Sequence, residues 1–477
     1  LYAFQGKAFF PLSASATGRC GPSLRVKHET LLLSKIRRPV KKPVTDAPDR
    51  VQRRPELTGS AAAVRLDGTR VRVPHGRTAI ARQRNGGGCM ASEKPAAEVY
   101  QGFEQGPIRP PSEAGSLLIR VTRNCPWNRC RFCSIYKPRS FSLRPLAHVV
   151  EDIDRVHRYV AAIREPGGAA GQMAPDRLRH IGQTVTPVDR SAFQAALHWA
   201  AGGMQAIFLQ DANSLILPPA DLKKVLAHLK RRFPWVARIT SYARSHTIAR
   251  IAAADLADFA AAGLNRIHIG LESGSDEVLR RMKKGVTKDG HVKAGRKVKA
   301  AGMELSEYVM PGLGGRELSR AHALETADAL NRIDPDFIRL RTLAIPNSVG
   351  LARDRESGVF AKCSERETAE EILLFLEHLE GITSTVKSDH VLNLFQEIEG
   401  RLPQDKPAMT AVIRDYLNLP PAEQVLFQVG RRMGVFGRLS DLAHPAHRRR
   451  AAQAVEAYGI TPENADAVVD ELMKRFI

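Results

Sequence analysis

The chain has 477 residues, 43% of them hydrophobic, enough to bury one large domain with an appendage; it has no apolar run of eighteen residues and no secretory leader at its start, so a soluble, cytoplasmic protein is expected. Six cysteines are too few for a disulfide framework, and three of them fall within nine residues, as metal ligands do. The net charge of +22 is unevenly spread: residues 1–89 hold 18 Lys and Arg against 5 Asp and Glu, leaving only +9 for the other 388, which points away from nucleic acid and towards a modestly basic enzyme behind a basic tail.

Residues 1–95 are rich in Arg, Pro and Gly and show no sustained helical or strand period, so they are expected to be a disordered extension. No methionine precedes Met90, and the extension is expected to lie outside the native chain.

From about Ser116 the pattern changes to short β-rich apolar runs alternating with helical segments, the signature of successive βα units and a parallel sheet. The runs are 116–122, 206–210, 238–242, 266–271, 304–310 and 337–343. Between them, 164–190 reads as a long loop, with Pro166, Pro175, Pro187, Gly167, Gly168 and Gly171. The span 247–262 reads as an amphipathic helix stopped by Gly263, and a further helix runs from the capping Ser275 to Gly285. No Gly-rich dinucleotide fingerprint opens the first helix, so the α/β core over 110–350 is expected to be a partial (β/α)6 barrel of the TIM type, with catalytic groups at the carboxyl ends of its strands. Residues 360–477 read as an α-helical C-terminal appendage, with Ser388 capping a helix over 389–399 and a last helix opened by Thr461 and Pro462.

The chemistry concentrates in NCPWNRCRFCSIYK, which sets Cys125, Cys130 and Cys133 at C-x4-C-x2-C after the first strand. Three soft thiolates suit an iron–sulfur cluster, and the missing fourth cysteine would leave one iron of a [4Fe-4S] cluster open to a ligand. The alternative is a structural zinc site completed by a residue such as His148.

With these residues in view the chain resembles the radical S-adenosylmethionine superfamily over roughly 115–345, although the superfamily's usual spacing is C-x3-C-x2-C. The resemblance implies a [4Fe-4S] cluster on the three cysteines, S-adenosylmethionine as the second cofactor and Phe132 packed near its adenine. It implies further that Asp211 and Asn213 of FLQDANSL receive the amino group of S-adenosylmethionine. The segment RIHIGLESGSDEVLRRMKKGVT looks like the fourth strand of the subgroup holding the Elongator catalytic subunit, methylthiotransferases and oxygen-independent coproporphyrinogen oxidase, and so implies Glu272 for the ribose hydroxyls. Arg341 would fork onto the cofactor carboxylate, and the glycines of MPGLGG (310–315) would let backbone approach the adenine. Tyr242, Arg244, Ser306, Tyr308 and Arg339 are further barrel-mouth candidates.

His390 reads first as part of a helix cap, Cys363 as a buried thiol, and the basic run His447 to Arg450 as a solvated helix face. The reaction implied is hydrogen abstraction from a small-molecule substrate, fed by a reductant such as flavodoxin or ferredoxin. The competing readings are an RNA-modifying relative and a non-enzymatic iron–sulfur or zinc protein.

Overall fold

All six anticipated runs are strands of one sheet, and two more strands extend it. In this computed structural model, which describes residues 98–164 and 175–476, the strands are β1 Leu117–Arg120, β2 Thr122–Arg123, β3 Ser142–Leu143, β4 Ala206–Gln210, β5 Arg238–Ala243, β6 Leu264–Glu272, β7 Glu304–Val309, β8 Phe337–Leu340, β9 Thr385–Lys387 and β10 Gly400–Arg401. The order β1-β4-β5-β6-β7-β8-β9-β10 is parallel throughout except for the last pair. The disordered extension expected over 1–95 lies outside the described residues. Among those that are described, no helix is long and apolar enough to cross a membrane.

The strand pattern explains the layering. Side chains alternate across a strand, so Ile207, Leu209, Ile267, Ile269, Leu305, Val309, Ile338 and Leu340 face the surrounding helices and are buried. The opposite set fills the barrel with polar and aromatic groups. Phe208, Tyr242, His268 and Tyr308 stack in sequence with ring centroids 5.1, 5.5 and 5.8 Å apart. Beneath them Glu113, from the segment before β1, lies 3.6 Å from His268 and is held by Arg238 and Ser116 at the strands' N-terminal ends.

Three expectations are corrected. The 247–262 helix is two pieces, Ser245–Ile248 and Ala253–Ala261, because the backbone is extended at Ala252 (ψ 147°), where Lys297 Nζ caps the Ile251 carbonyl. The stretch 164–190 contains a helix, Pro175–Thr184, whose opening proline suits a first turn. The region beyond 360 is not purely helical: it supplies β9 and β10, and 389–399 forms an irregular loop. Ser388 does not cap a helix there; its hydroxyl donates to the Phe395 carbonyl at 2.5 Å. The last helix runs Ala465–Met473.

Candidate functional site

The cysteine loop is built by its own sequence. Strands β2 and β3 pair antiparallel and pinch its ends together. Within it Asn124 and Asn128 adopt left-handed backbone, with φ of 66° and 43°, a conformation asparagine tolerates better than most residues. Asn128 lies between the first two cysteines, where the one-residue excess over the usual spacing falls, and its side-chain amide donates to the Tyr136 and Arg139 carbonyls at 3.1 Å each. Its backbone N–H donates to Cys125 Sγ at 3.4 Å.

Two outer helices hold the loop in place. Arg131 N–H donates to the Met282 carbonyl, and Leu351 N–H to the Arg131 carbonyl, each at 3.0 Å. Trp127 Nε1 donates to the Lys283 carbonyl at 2.7 Å. Its ring lies flat on Gly285, where an added Cβ would come within 2.3 Å of it, so only glycine fits.

Cys125, Cys130 and Cys133 open into one cavity at the carboxyl ends of the strands, together with Phe132, Glu272, Lys284, Arg244, Arg341, Tyr242, Tyr308 and His390. Burial pushes the Cys130 thiol up to about 11 and raises Cys133 as well, against the pull of nearby Lys284, Arg244 and Arg341. Among the described residues no three His, Cys, Asp or Glu side chains close around a single metal ion. Three soft donors that share a cavity fit a cluster with an open corner. His148 packs edge-on against Tyr100 at 5.4 Å and does not line this cavity.

Glu272 ends β6 with a φ of 67°, an unusual conformation for glutamate that its surroundings impose. Its carbonyl accepts Met310 N–H at 3.0 Å. Ser273 bonds His322 Nδ1 at 2.8 Å, and Gly274 N–H donates to Thr326 Oγ1 at 2.8 Å, both partners standing on the Gly315–Ile333 helix. The carboxylate is turned to Lys284 Nζ at 3.1 Å, not to Arg244 or Arg266. Arg266 pairs with Glu304, while Arg244 stacks on Trp127 and donates to the Lys284 carbonyl. Lys284 was not singled out from sequence. Its signal was the KKG that closes a helix.

Behind Lys284, Ser245 Oγ and His291 Nδ1 are 2.6 Å apart, and Glu307 is buried with neither oxygen hydrogen-bonded. Burial drives the imidazole well below its usual range and the carboxyl well above its own, which keeps both uncharged.

Asp211 and Asn213 are not brought to the cavity; Ala212 between them is. Asp211 is fully buried against Arg120, with N···O distances of 2.6 and 2.9 Å, and accepts Asn124 N–H at 3.0 Å. Asn213 accepts Arg244 N–H and donates to Thr247, each at 2.9 Å. Both brace the site from behind.

The MPGLGG loop also lies outside the cavity lining. Gly312 N–H donates to Glu371 at 2.7 Å, and a Cβ on Gly315 would meet the Ala361 carbonyl at 2.7 Å, so these glycines serve backbone shape and packing. Arg339 points into the barrel, bonded to Ser306 at 3.2 Å and Asp389 at 2.7 Å. Cys363 is buried away from the cavity, and His447 to Arg450 are solvated on the Pro445–Ala457 helix.

A parallel barrel whose catalytic end carries three cysteines on the first loop defines a class of metallocofactor enzyme. Residues 176–327 match the family model of the radical SAM superfamily, which makes this part of the chain a radical SAM domain. Enzymes of the superfamily use a [4Fe-4S] cluster and S-adenosylmethionine. The matched span begins beyond the cysteine loop.

Among solved structures, methylornithine synthase is 13% identical with a TM-score of 0.35, covering 62% of this chain and 68% of that one. Coproporphyrinogen III oxidase from Escherichia coli is 14% identical with a TM-score of 0.37, covering 55% and 52%. The archaeal Methanocaldococcus infernus Elp3 is 16% identical with a TM-score of 0.33, covering 43% and 55%. The chain thus spans only about half the length of the latter two. No curated protein matches it.

Proposed function

We propose that Cys125, Cys130 and Cys133 hold one [4Fe-4S] cluster, and that the chain uses it with S-adenosylmethionine to start radical chemistry on a small molecule. The observation that carries this is the opening of all three thiols into one cavity that Glu272 also lines. When bound, the cluster supplies the electron that cleaves S-adenosylmethionine reductively, so that its 5′-deoxyadenosyl group can take a hydrogen atom from the substrate.

The chain's own part is to bind and orient, since the cofactor carries the difficult chemistry. Glu272, with one oxygen steadied by Lys284, accepts from the ribose hydroxyls. Phe132 offers its ring to the adenine, and Arg341 offers a planar fork to the cofactor carboxylate. Asp211 and Asn213, committed to Arg120, Arg244 and Thr247, receive no ligand role. Beside the cysteine loop runs an open groove lined by Arg129, Arg250, Arg280, Lys283 and Lys293, with Asp276 as its acid. Its charge suits an acidic electron-donor protein such as flavodoxin or ferredoxin.

The test is anaerobic reconstitution with iron and sulfide, followed by S-adenosylmethionine and dithionite. About four irons per chain and release of 5′-deoxyadenosine are expected. Zinc filling the site, or no cleavage by an iron-loaded chain, would overturn the reading.

A further inference from the structure

We infer that Arg244 is the counter-charge of the metal–sulfur group on the three cysteines, a positioning residue whose fixed cation makes that group easier to reduce. This rests on the reading that Cys125, Cys130 and Cys133 hold one cluster, and adds a residue that sets how readily it takes up its electron.

Arg244 directly follows β5 and lines the cavity together with all three cysteines. Three contacts fix it. Its Nη2 donates to the Lys284 carbonyl at 2.9 Å, its guanidinium carbon stacks 5.0 Å from the centre of the Trp127 ring, and its backbone N–H donates to Asn213 Oδ1 at 2.9 Å. Trp127 lies between Cys125 and Cys130, so the ring under the guanidinium belongs to the cysteine loop itself. Asn213 is fully buried and is held in turn by Thr247, which anchors the arginine from the strand side.

What this guanidinium lacks is an acid. Among the described residues no carboxylate pairs with it; Glu272 is turned to Lys284, and Asp211 to Arg120. Burial lowers the guanidinium from its usual range, and the groups that oppose this are Cys125 and Cys130. A cation taken out of water without a partner is costly, and an arginine cannot shed its proton as a buried lysine or histidine can. The cost is therefore offset only when negative charge arrives in the cavity, and three metal-bound thiolates bring it. Arg129 and Lys283 differ, because they line the open groove outside, where solvent and salt screen them.

An electron delivered to a metal–sulfur group on three thiolates adds one negative charge there, with no proton taken up. A fixed cation in the same cavity favours the more negative state, so it raises the reduction potential. Lys284 contributes less to this, because Glu272 offsets its charge at 3.1 Å. The electron itself comes from the reductant protein in use and from dithionite in the test below.

The experiment titrates the visible absorbance and the electron paramagnetic resonance signal of the reconstituted full chain against potential, with dithionite as reductant. Iron content, thermal midpoint and S-adenosylmethionine affinity are read on the same samples. Arg244→Gln keeps a donor for the Lys284 carbonyl and removes the charge, whereas Arg244→Lys keeps the charge and removes the planar stack. Arg244→Gln should lower the reduced-to-oxidised ratio at a fixed potential about tenfold, a shift of about 59 mV for one electron, and Arg244→Lys should retain at least half of what is lost. Equal potentials in wild type and Arg244→Gln, or an equal drop in both variants, would overturn the inference. So would a weakened S-adenosylmethionine affinity with an unmoved potential, which would make Arg244 a cofactor ligand instead. If Arg244→Gln holds no iron, loading decides: full iron in Arg244→Lys supports the role of the charge, and none there overturns it. A wild-type chain that takes zinc and no iron would sink the cluster reading, and this inference with it, a failure distinct from all of these.

Discussion

Two irregular segments line the same cavity, and they are held by opposite means. The cysteine loop takes its shape largely from residues within it, a two-strand pinch and two left-handed asparagines, and is docked on its neighbours through Trp127 and Arg131. The segment 388–395 takes its shape from two arginines some forty residues further on, which accept the task of satisfying carbonyls that no local hydrogen bond serves. A motif built locally can be read from a short stretch of sequence. One built remotely cannot, and its failure should look different.

The largest effect tests the local segment. Replacing any one of Cys125, Cys130 or Cys133 by Ala should abolish cluster assembly, read as loss of iron and of visible absorbance, while thermal stability of the metal-free protein barely moves. A variant that keeps a full cluster would show that the ligand set is wrong. Next comes the remote segment: Arg432→Met leaves Glu365 buried without its cation and should cost about 3–5 kcal/mol of stability. Chemical denaturation would measure it, and an unchanged midpoint would mean that the arginine does not hold the segment.

Between these extremes stands Glu272, held by both local backbone and remote helix. Glu272→Gln should retain the cluster and weaken S-adenosylmethionine binding by about 1.5–3 kcal/mol, measured by calorimetry under anaerobic conditions. Asp211→Asn should behave differently, lowering stability through the stranded Arg120 and leaving cofactor affinity largely alone. If both variants lost affinity equally, the bracing role given to Asp211 would be wrong.

A smaller effect is pH-linked. Burial alone would raise the Glu104 carboxyl, but Arg123, Arg144 and Arg120 outweigh it and hold it below its usual range. A carboxyl depressed in the folded state adds stability above its unfolded pKa of about 4.3 and loses it as pH falls through the folded value. The stability gap between wild type and Glu104→Gln should therefore be full at pH 6 and shrink as pH falls below about 4, in paired thermal melts. The smallest expected effect is none: a chain begun at Met90 should load its cluster as the full chain does, and failure to do so would give the basic extension a structural part.

These contrasts also say what was legible in the sequence. All six strand runs were, because alternation of apolar residues reports burial directly. That the three cysteines and Glu272 gather at one end of the sheet was legible too, because each lies in a short motif at a strand end. The placing of Asp211 outside the cavity was not legible, because its partner Arg120, beside its neighbour Gln210 in the parallel register, lies ninety-one residues earlier. The helix expected over 389–399 failed for a similar reason, since Ser388 and the apolar run after it carry a local preference that Arg431 and Arg432 override. Strands β9 and β10, only three and two residues long, gave no period to detect.

The aromatic stack of Phe208, Tyr242, His268 and Tyr308 turns the barrel into a blind alley, closed further down by Glu113. Whatever enters at the strand ends must leave by the same doorway. With two guests sharing one doorway, the deeper one has to arrive first and depart last. Turnover should then show a compulsory order of addition, and a product trapped beneath its companion should slow the cycle until the outer one leaves.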